Sequence, residues 1–454
     1  MKKKSLQPAQ IIALSFLSVI VIGVLLLSLP IATTGAGRAT LVDSIFTATS
    51  ATCVTGLIVK DTGNFFSPFG RLVILCLIQA GGLGIMTFST MFAILLGRKL
   101  SMSQNSTIQS EMGHTKTEGM TQLIIYIITF TFAIETIGAI CLFFRWRATM
   151  DWGIVLTAER AVFHAISAFC NAGFSLFSNS LTGFMTDKVI LTIFSFLIIT
   201  GGIGFVVFLD IPKLKFWRKD RALIVSRISL QTKIVLLVTI TLIILGAVGV
   251  YAFENQNLLL GLSTKEKISS CLFTSITPRT AGFNVLDTGA LRPVTLFMLI
   301  MLMFIGASPG STGGGIKTVT FGIILVAFYS MFRNRDRINV FGRTIPRETY
   351  RRAAVIIFLG ISVVVASTFL LSATETVQSE SGHHFLSLLF ESTSAFGTVG
   401  LSTGITPNLS VLGKWIIICT MFIGRIGPLT LALAIAMHKG KLDYRYPEEK
   451  LMVG

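Results

Sequence analysis

Charge is scarce in this chain. Asp and Glu together occupy 21 of 454 positions, Lys and Arg 38, and all four types make up only 13% of the residues. A soluble domain carries about a quarter, so a highly solvated surface is excluded. Cysteine is equally sparse. Its six copies (Cys53, Cys76, Cys141, Cys170, Cys271 and Cys419) form no C-x-x-C pair and read as small apolar packing residues rather than redox or metal ligands. Histidine occurs five times. The adjacent His383 and His384 would point about 100° apart on a helix and make a poor ligand pair. No nucleophile–base arrangement, metal-ligand spacing or polar stretch long enough for an ATP-hydrolysing domain is visible, so the chain does not read as an enzyme.

What fills the chain instead is apolar sequence. Hydrophobic residues are 52% of the total and mean hydropathy is +0.78, the profile of a polytopic membrane protein. Eight apolar runs are long enough to span a bilayer: roughly 9–30, 70–97, 121–144, 188–211, 231–252, 293–332, 353–372 and 411–437. The first is too long, and lacks a small-residue cleavage site, for a signal peptide. About twice as many Lys and Arg fall on one side of these runs as on the other. The positive-inside rule then puts both termini in the cytoplasm, and the net charge of +17 follows from topology and anionic lipid rather than nucleic acid.

Between the runs lie four short polar-apolar segments, each closed by a glycine: Phe46-TATSATCVT-Gly56, Phe163-HAISAFCNA-Gly173, Phe273-TSITPRTA-Gly282 and Phe390-ESTSAFGTV-Gly400. The glycines follow one another at 117, 109 and 118 residues, a spacing that marks a repeated unit. Each unit reads as a membrane helix, a short descending helix (41–51, 157–169, 265–277, 384–395), a return strand and a second membrane helix. The repeats divide at 1–110, 111–225, 226–345 and 346–454. The expected fold is an all-α polytopic membrane protein with four such repeats in pseudo-fourfold symmetry around one central pore. Eight transmembrane helices and four re-entrant pore helices would build it.

Non-helical backbone at membrane depth survives only inside protein or along a water-filled path. The inner ends of the short helices would aim their negative dipole ends at mid-bilayer and favour a cation there. Carbonyls of Val54-Thr55-Gly56, Asn171-Ala172-Gly173, Thr280-Ala281-Gly282 and Thr398-Val399-Gly400 would replace the water of a dehydrated ion. None of the four reads T-V-G-Y-G, so discrimination should be less stringent than in tetrameric potassium channels.

The sixth run is interrupted by five glycines and Pro309 within Gly306-Ala307-Ser308-Pro309-Gly310-Ser311-Thr312-Gly313-Gly314-Gly315, followed by Lys317, and cannot be regular helix. A nucleotide-binding loop needs glycine directly before the lysine; Ile316 intervenes and no βαβ context exists. A flexible intramembrane loop over 306–317 that blocks or clears the ion path fits better. Arg425, at the place held by small residues in Gly81-Gly82-Leu83-Gly84 and Gly201-Gly202-Ile203-Gly204, has room near the axis and reads as a gate contact or electrostatic barrier. Lys317 is equally consistent with snorkelling. Gln79 and Glu135 read as interhelical hydrogen-bonding partners, and the two Gly-Gly motifs as helix-packing sites without chemistry.

These residues resemble the Trk/Ktr/HKT superfamily, most closely its KtrB-type ion-conducting subunits. The likeness covers nearly the whole chain and rests on the four glycine-closed loops, SITPRTAGFN in the third, the glycine-rich interruption and the arginine of the last span. It implies potassium as the transported ion, with sodium-selective or sodium-coupled transport, or a non-conducting scaffold, as rivals. A glycine at all four loop positions goes with potassium in that family, serine at the first with sodium. The likeness further implies a bacterial plasma-membrane homodimer gated beneath the filter. A cytosolic ring of KtrA-type subunits would bind ATP or ADP in place of this chain.

Overall fold

The computed structural model describes residues 8–35, 38–84, 120–210, 228–335, 337–375 and 384–435. Its helices, numbered for the elements that matter here, are α1 (Pro8–Leu27), α2 (Leu41–Thr52), α3 (Pro68–Gly82), α4 (Met120–Thr149), α5 (Ile154–Phe169) and α6 (Lys188–Ile203). Then come α7 (Leu230–Glu254), α8 (Thr264–Ile276), α9 (Pro293–Phe304), α10 (Thr318–Phe332), α11 (Arg347–Thr374), α12 (His384–Gly397), α13 (Val411–Ile426) and α14 (Pro428–Ile435). A two-stranded hairpin, β1 (Asn339–Val340) and β2 (Arg343–Thr344), joins α10 to α11.

Four described helices, α1, α4, α7 and α11, are long and apolar enough to cross a bilayer alone. Hydropathy suggests eight runs, of which only the sixth reads as interrupted, and the difference has a backbone cause. The runs at 188–211 and 411–437 are broken at Gly204 and Gly427, whose φ values of +93° and +92° no right-handed helix contains. The chain resumes as short helices, Phe205–Asp210 and α14. Helix α3 stops at the matching place, before Gly84 at φ +82°; the remainder of the 70–97 run lies outside the described residues. The sixth run divides into α9 and α10, with irregular chain from 305 to 317 between them.

Capping explains where the helices begin. Thr40 accepts from the Asp43 amide at the start of α2, and the side chains of Ser67, Asp187, Ser229 and Ser410 cap α3, α6, α7 and α13. At α8 Ser263 and Glu266 form a capping box. The Ser263 hydroxyl and amide donate to the Glu266 carboxylate at 2.6 and 2.9 Å and hold it below the usual carboxylate range.

Polarity is inverted relative to a soluble protein. Large apolar side chains such as Leu25, Phe144 and Phe369 are exposed on the long helices. Ser44, Thr47, Thr49, Ser50 and Thr52 are buried in α2, as are Ser392, Thr393 and Ser394 in α12. Such a surface is stable only against hydrocarbon. The deepest packing surrounds the short helices, where Phe46, Phe169, Phe174, Phe273, Phe283, Phe390 and Phe396 are fully buried.

Ion pairs among the described residues tie elements far apart in sequence. Lys414 at the start of α13 meets Asp43 in α2 at 2.9 Å, and Arg71 in α3 meets Glu159 in α5 at 2.9 Å. Gln79 donates to Glu135 at 3.1 Å, joining α3 to α4, and the Cys170 thiol lies 3.5 Å from Gln79 Oε1 and 3.7 Å from Glu135 Oε1. Glu135 and Gln79 are therefore interhelical partners.

Candidate functional site: a closed ring of four glycine turns

Past the ends of α2, α5, α8 and α12 the chain turns in the same way four times. Val54, Asn171, Thr280 and Thr398 have φ of +57°, +59°, +69° and +49°. Two residues on, Gly56, Gly173, Gly282 and Gly400 have φ of +92°, +69°, +77° and +91°. The residue between them is not left-handed, so none of the four return segments forms the strand that the sequence suggested. A left-handed valine or threonine is uncommon and strained, and persists only where its surroundings hold it.

Hydroxyl groups at the helix ends do the holding. The Ser50, Ser167 and Thr277 hydroxyls donate to the carbonyls just past the glycines, Leu57 O, Phe174 O and Phe283 O, at 2.7, 2.7 and 2.6 Å. Ser394 accepts from the Gly400 amide at 3.1 Å. The amides of Thr55, Ala172, Ala281 and Val399 bond back to Ser50 O, Ser167 O, Thr277 O and Ser394 O at 2.7–2.9 Å. With those amides directed at the helices, the carbonyls of the same residues are free to face elsewhere.

Where they face follows from the glycines. A β-carbon added to Gly56 would run into Ala172 O, one on Gly282 into Val399 O, and one on Gly400 into Thr55 O. One on Gly173 would lie 3.1 Å from Ala281 O. The first segment abuts the second, the second the third, the third the fourth, and the fourth returns to the first. The ring is closed, its glycines are mutual neighbours, and each glycine is flanked by the backbone oxygen of the next segment.

A cavity of about 610 Å³ opens above this ring, touching all four glycines together with Ser175, Asn284 and Ser402. On the opposite side lies the irregular chain from Gly306 to Gly315. Its Gly314 amide donates to Thr398 Oγ1 at 3.0 Å, and Gly313 sits where any side chain would strike Thr280 Oγ1. It is also fastened to the end of α6: Ser308 N donates to Gly202 O at 3.0 Å, Thr312 N to Gly201 O at 3.3 Å, and Phe205 N to Gly310 O at 2.9 Å. Arg425 completes the attachment, donating to Thr312 O and Gly81 O. Lys317 Nζ donates to Gly313 O at 2.7 Å, so it serves the loop rather than snorkelling. Beneath the loop is a second cavity of about 230 Å³, lined by Gly82, Gly84, Gly310, Lys317 and Arg425.

The four glycine segments therefore meet in one ring, and the 306–315 chain, with Lys317 and Arg425 bonded to it, packs against that ring through Thr280 and Thr398. The packing reading of the Gly-Gly motifs is incomplete. Gly81 and Gly201 do sit where a β-carbon would strike Thr52 O and Phe169 O, as packing glycines should. Their own carbonyls, however, anchor Arg425 and Thr312, because the helices stop there and leave acceptors open. Arg279 joins the site as well. It holds the position of Cys53, Cys170 and Gly397 in the other segments, is 7% exposed, and its Nη1 has no hydrogen-bond partner among the described residues. A cation in the third segment alone was the available signal.

A ring of backbone oxygens between two cavities, set in a chain with an apolar exterior, defines a polytopic membrane protein that handles cations. Comparison with known proteins gives the family. The model of the TrkH cation transport protein family matches residues 2–443, and the chain belongs to that Trk/Ktr family of ion transporters. It is 39% identical to the Ktr system potassium uptake protein B of Bacillus subtilis over 98% of this chain and 97% of that one. It is 38% identical to the potassium/sodium uptake protein NtpJ of Enterococcus hirae over 100% of this chain and 98% of that one. The crystal structure of the potassium transporter TrkH from Vibrio parahaemolyticus superimposes with a TM-score of 0.72 at 18% identity, covering 96% of this chain and 86% of that one.

Proposed function

We propose that the chain conducts potassium ions into the cell through the passage ringed by Gly56, Gly173, Gly282 and Gly400. The observation that supports this reading is the cyclic order of glycine and carbonyl contacts, each glycine abutting a backbone oxygen of the next segment. Each short helix ends next to the ring, and each contributes a partial negative charge of about half an electron at its C-terminus. A monovalent cation stripped of water would find both oxygen ligands and a favourable field there. The membrane potential supplies the drive, at about 2.3 kcal/mol per charge per 100 mV.

In this reading α2, α5, α8 and α12 are re-entrant pore helices of four pseudo-symmetric repeats. The chain from Gly306 to Gly315, held by Arg425 and Lys317, is a gate that must leave its anchors on α6 and Thr398 before an ion passes. Both termini face the cytoplasm of a bacterial plasma membrane, and the subunit forms a homodimer. A cytosolic KtrA-type ring would bind the nucleotide and act on the gate. The homodimer and ring rest on family likeness alone. Sodium coupling is the second reading, favoured by the potassium/sodium name of the Enterococcus hirae relative.

Growth of a potassium-uptake-deficient bacterium at low potassium tests the proposal, with rescue expected from the wild-type chain. Rubidium and sodium flux through Gly56→Ser compared with wild type tests the ion. A shift toward sodium is expected, and absence of rescue together with absence of rubidium flux would end the proposal.

A further inference from the structure

The residue that follows the buried phenylalanine in each short helix differs among the four: Thr47, His164, Thr274 and Glu391. His164 and Glu391 are fully buried. His164 Nδ1 lies 2.7 Å from Arg160 O, which can only accept, so Nδ1 carries the proton and Nε2 remains an acceptor. Nε2 receives the Leu176 amide at 3.2 Å and lies 3.1 Å from Ser175 Oγ. Glu391 does the equivalent in its own segment. Its Oε1 accepts from the Thr403 amide at 3.1 Å and from the Ser402 hydroxyl, and Oε2 accepts from Thr406 Oγ1 at 2.9 Å.

Leu176 and Thr403 occupy the same register, three residues beyond Gly173 and Gly400. Ser175 and Ser402 both line the outer cavity. Among the described hydrogen bonds, neither Thr47 nor Thr274 reaches the corresponding amides of Val59 and Val285, and Thr274 Oγ1 has no partner. Two buried acceptors from the short helices thus grip the outer ends of the second and fourth segments, which face each other across the ring. Among the described hydrogen bonds the first and third have no such acceptor from their own helix, and the third is held from the second segment's loop, Asn284 N donating to Ser180 Oγ at 3.2 Å and Leu181 N to Asn284 O at 3.0 Å.

We propose that His164 and Glu391 are positioning residues for ion selection. By fixing the chain three residues outside Gly173 and Gly400, they hold one diagonal of the ring at constant width, and the selection of potassium over smaller sodium depends on that width. Neither side chain touches the ion. Each acts through the backbone it holds, and the inference rests on the filter reading above.

The test compares rubidium and sodium flux in proteoliposomes for wild type, His164→Thr, Glu391→Thr, His164→Gln, Glu391→Gln and Gly56→Ser. Threonine is the residue the other two segments carry and fits the helix without reaching the distant amide. Glutamine keeps an acceptor oxygen at the right reach. The Thr variants are expected to lose at least about tenfold of the rubidium-over-sodium preference, and the Gln variants to recover most of it. If a Thr variant does not incorporate, His164→Leu or Glu391→Met, which also lacks an acceptor for the Leu176 or Thr403 amide, is read in its place on the same criterion. An unchanged ratio in these variants while Gly56→Ser shifts it overturns the positioning role and leaves the filter standing. An unchanged ratio in Gly56→Ser as well removes the filter reading and the positioning role together.

Discussion

Placing alanine in turn at Gly56, Gly173, Gly282 and Gly400 should give four unequal results, and the order follows from the backbone. An L-residue in the left-handed region costs about 1–2 kcal/mol, least near φ of about +57°. Gly173, at +69°, is nearest to that value; Gly56 and Gly400, at +92° and +91°, are farthest. Crowding sets Gly173 apart from the other three in the same direction. A β-carbon on Gly173 would stand 3.1 Å from both Ala281 O and the Gly282 Cα, a gap closed by a few tenths of an ångström. On Gly56, Gly282 and Gly400 it would strike Ala172 O, Val399 O and Thr55 O, the oxygens the ion is meant to meet, and Gly282 is set below the other two by its φ of +77°. Displacing such an oxygen adds about 1–3 kcal/mol of overpacking. Gly173→Ala should therefore cost about 1 kcal/mol, roughly fivefold in rubidium flux, on the tenfold-per-1.4 kcal/mol scale. Gly56→Ala and Gly400→Ala should cost about 3 kcal/mol, roughly a hundredfold or more, with Gly282→Ala between. Flux in proteoliposomes, normalised to incorporated protein, measures the series. Four equal losses, or Gly173→Ala as the worst variant, would refute the reasoning from ring geometry.

Further outcomes follow from the contacts around the ring. Arg425→Gln removes a donor to Thr312 O and Gly81 O, so it should raise basal rubidium flux with the rubidium-over-sodium ratio unchanged, as should shortening 306–315; unaltered flux would dissociate the loop from gating. Lys414→Ala strands the buried Asp43 carboxylate and should lower thermal stability in detergent by about 3–5 kcal/mol, whereas Lys414→Met with Asp43→Asn should recover most of it. Equal stability of the single and double variants would show that the pair does not hold α13 to α2. Glu266 is held below its ordinary 4.5 by the Ser263 hydroxyl, so its contribution to stability is present above about that pH and fades as pH falls through the lowered value. Melting curves should accordingly show a smaller loss between pH 7 and pH 3.5 for Glu266→Gln than for wild type. An identical loss would remove the capping box from the account.

The four glycine segments were legible because each carries two independent marks, a polar-apolar helix too short to span and a glycine where the chain must turn left-handed. The Ser and Thr at the helix ends were visible too, but as dipole-end residues. Their grip on Leu57, Phe174 and Phe283 depends on the chain folding back, which composition does not encode. The breaks at Gly204 and Gly427 were hidden because apolar residues continue on both sides, so hydropathy sees one run where the backbone makes two pieces. Lys414 and Asp43 were hidden for another reason: 371 positions separate them, and only closure of the fourth segment onto the first brings them together. His164 and Glu391 have no common residue type to align, only a common register relative to their glycines. Arg425 could be read because a cation in an apolar run always needs a partner, although its partners are carbonyls that only an interrupted helix exposes.

Diffraction from crystals grown in rubidium, with data collected at the rubidium absorption edge, tests the central claim most directly. An anomalous peak on the axis enclosed by Gly56, Gly173, Gly282 and Gly400, within coordination distance of the Thr55, Ala172, Ala281 and Val399 carbonyls, is the expected result. Rubidium bound elsewhere in the molecule, with no peak inside that ring, would contradict it.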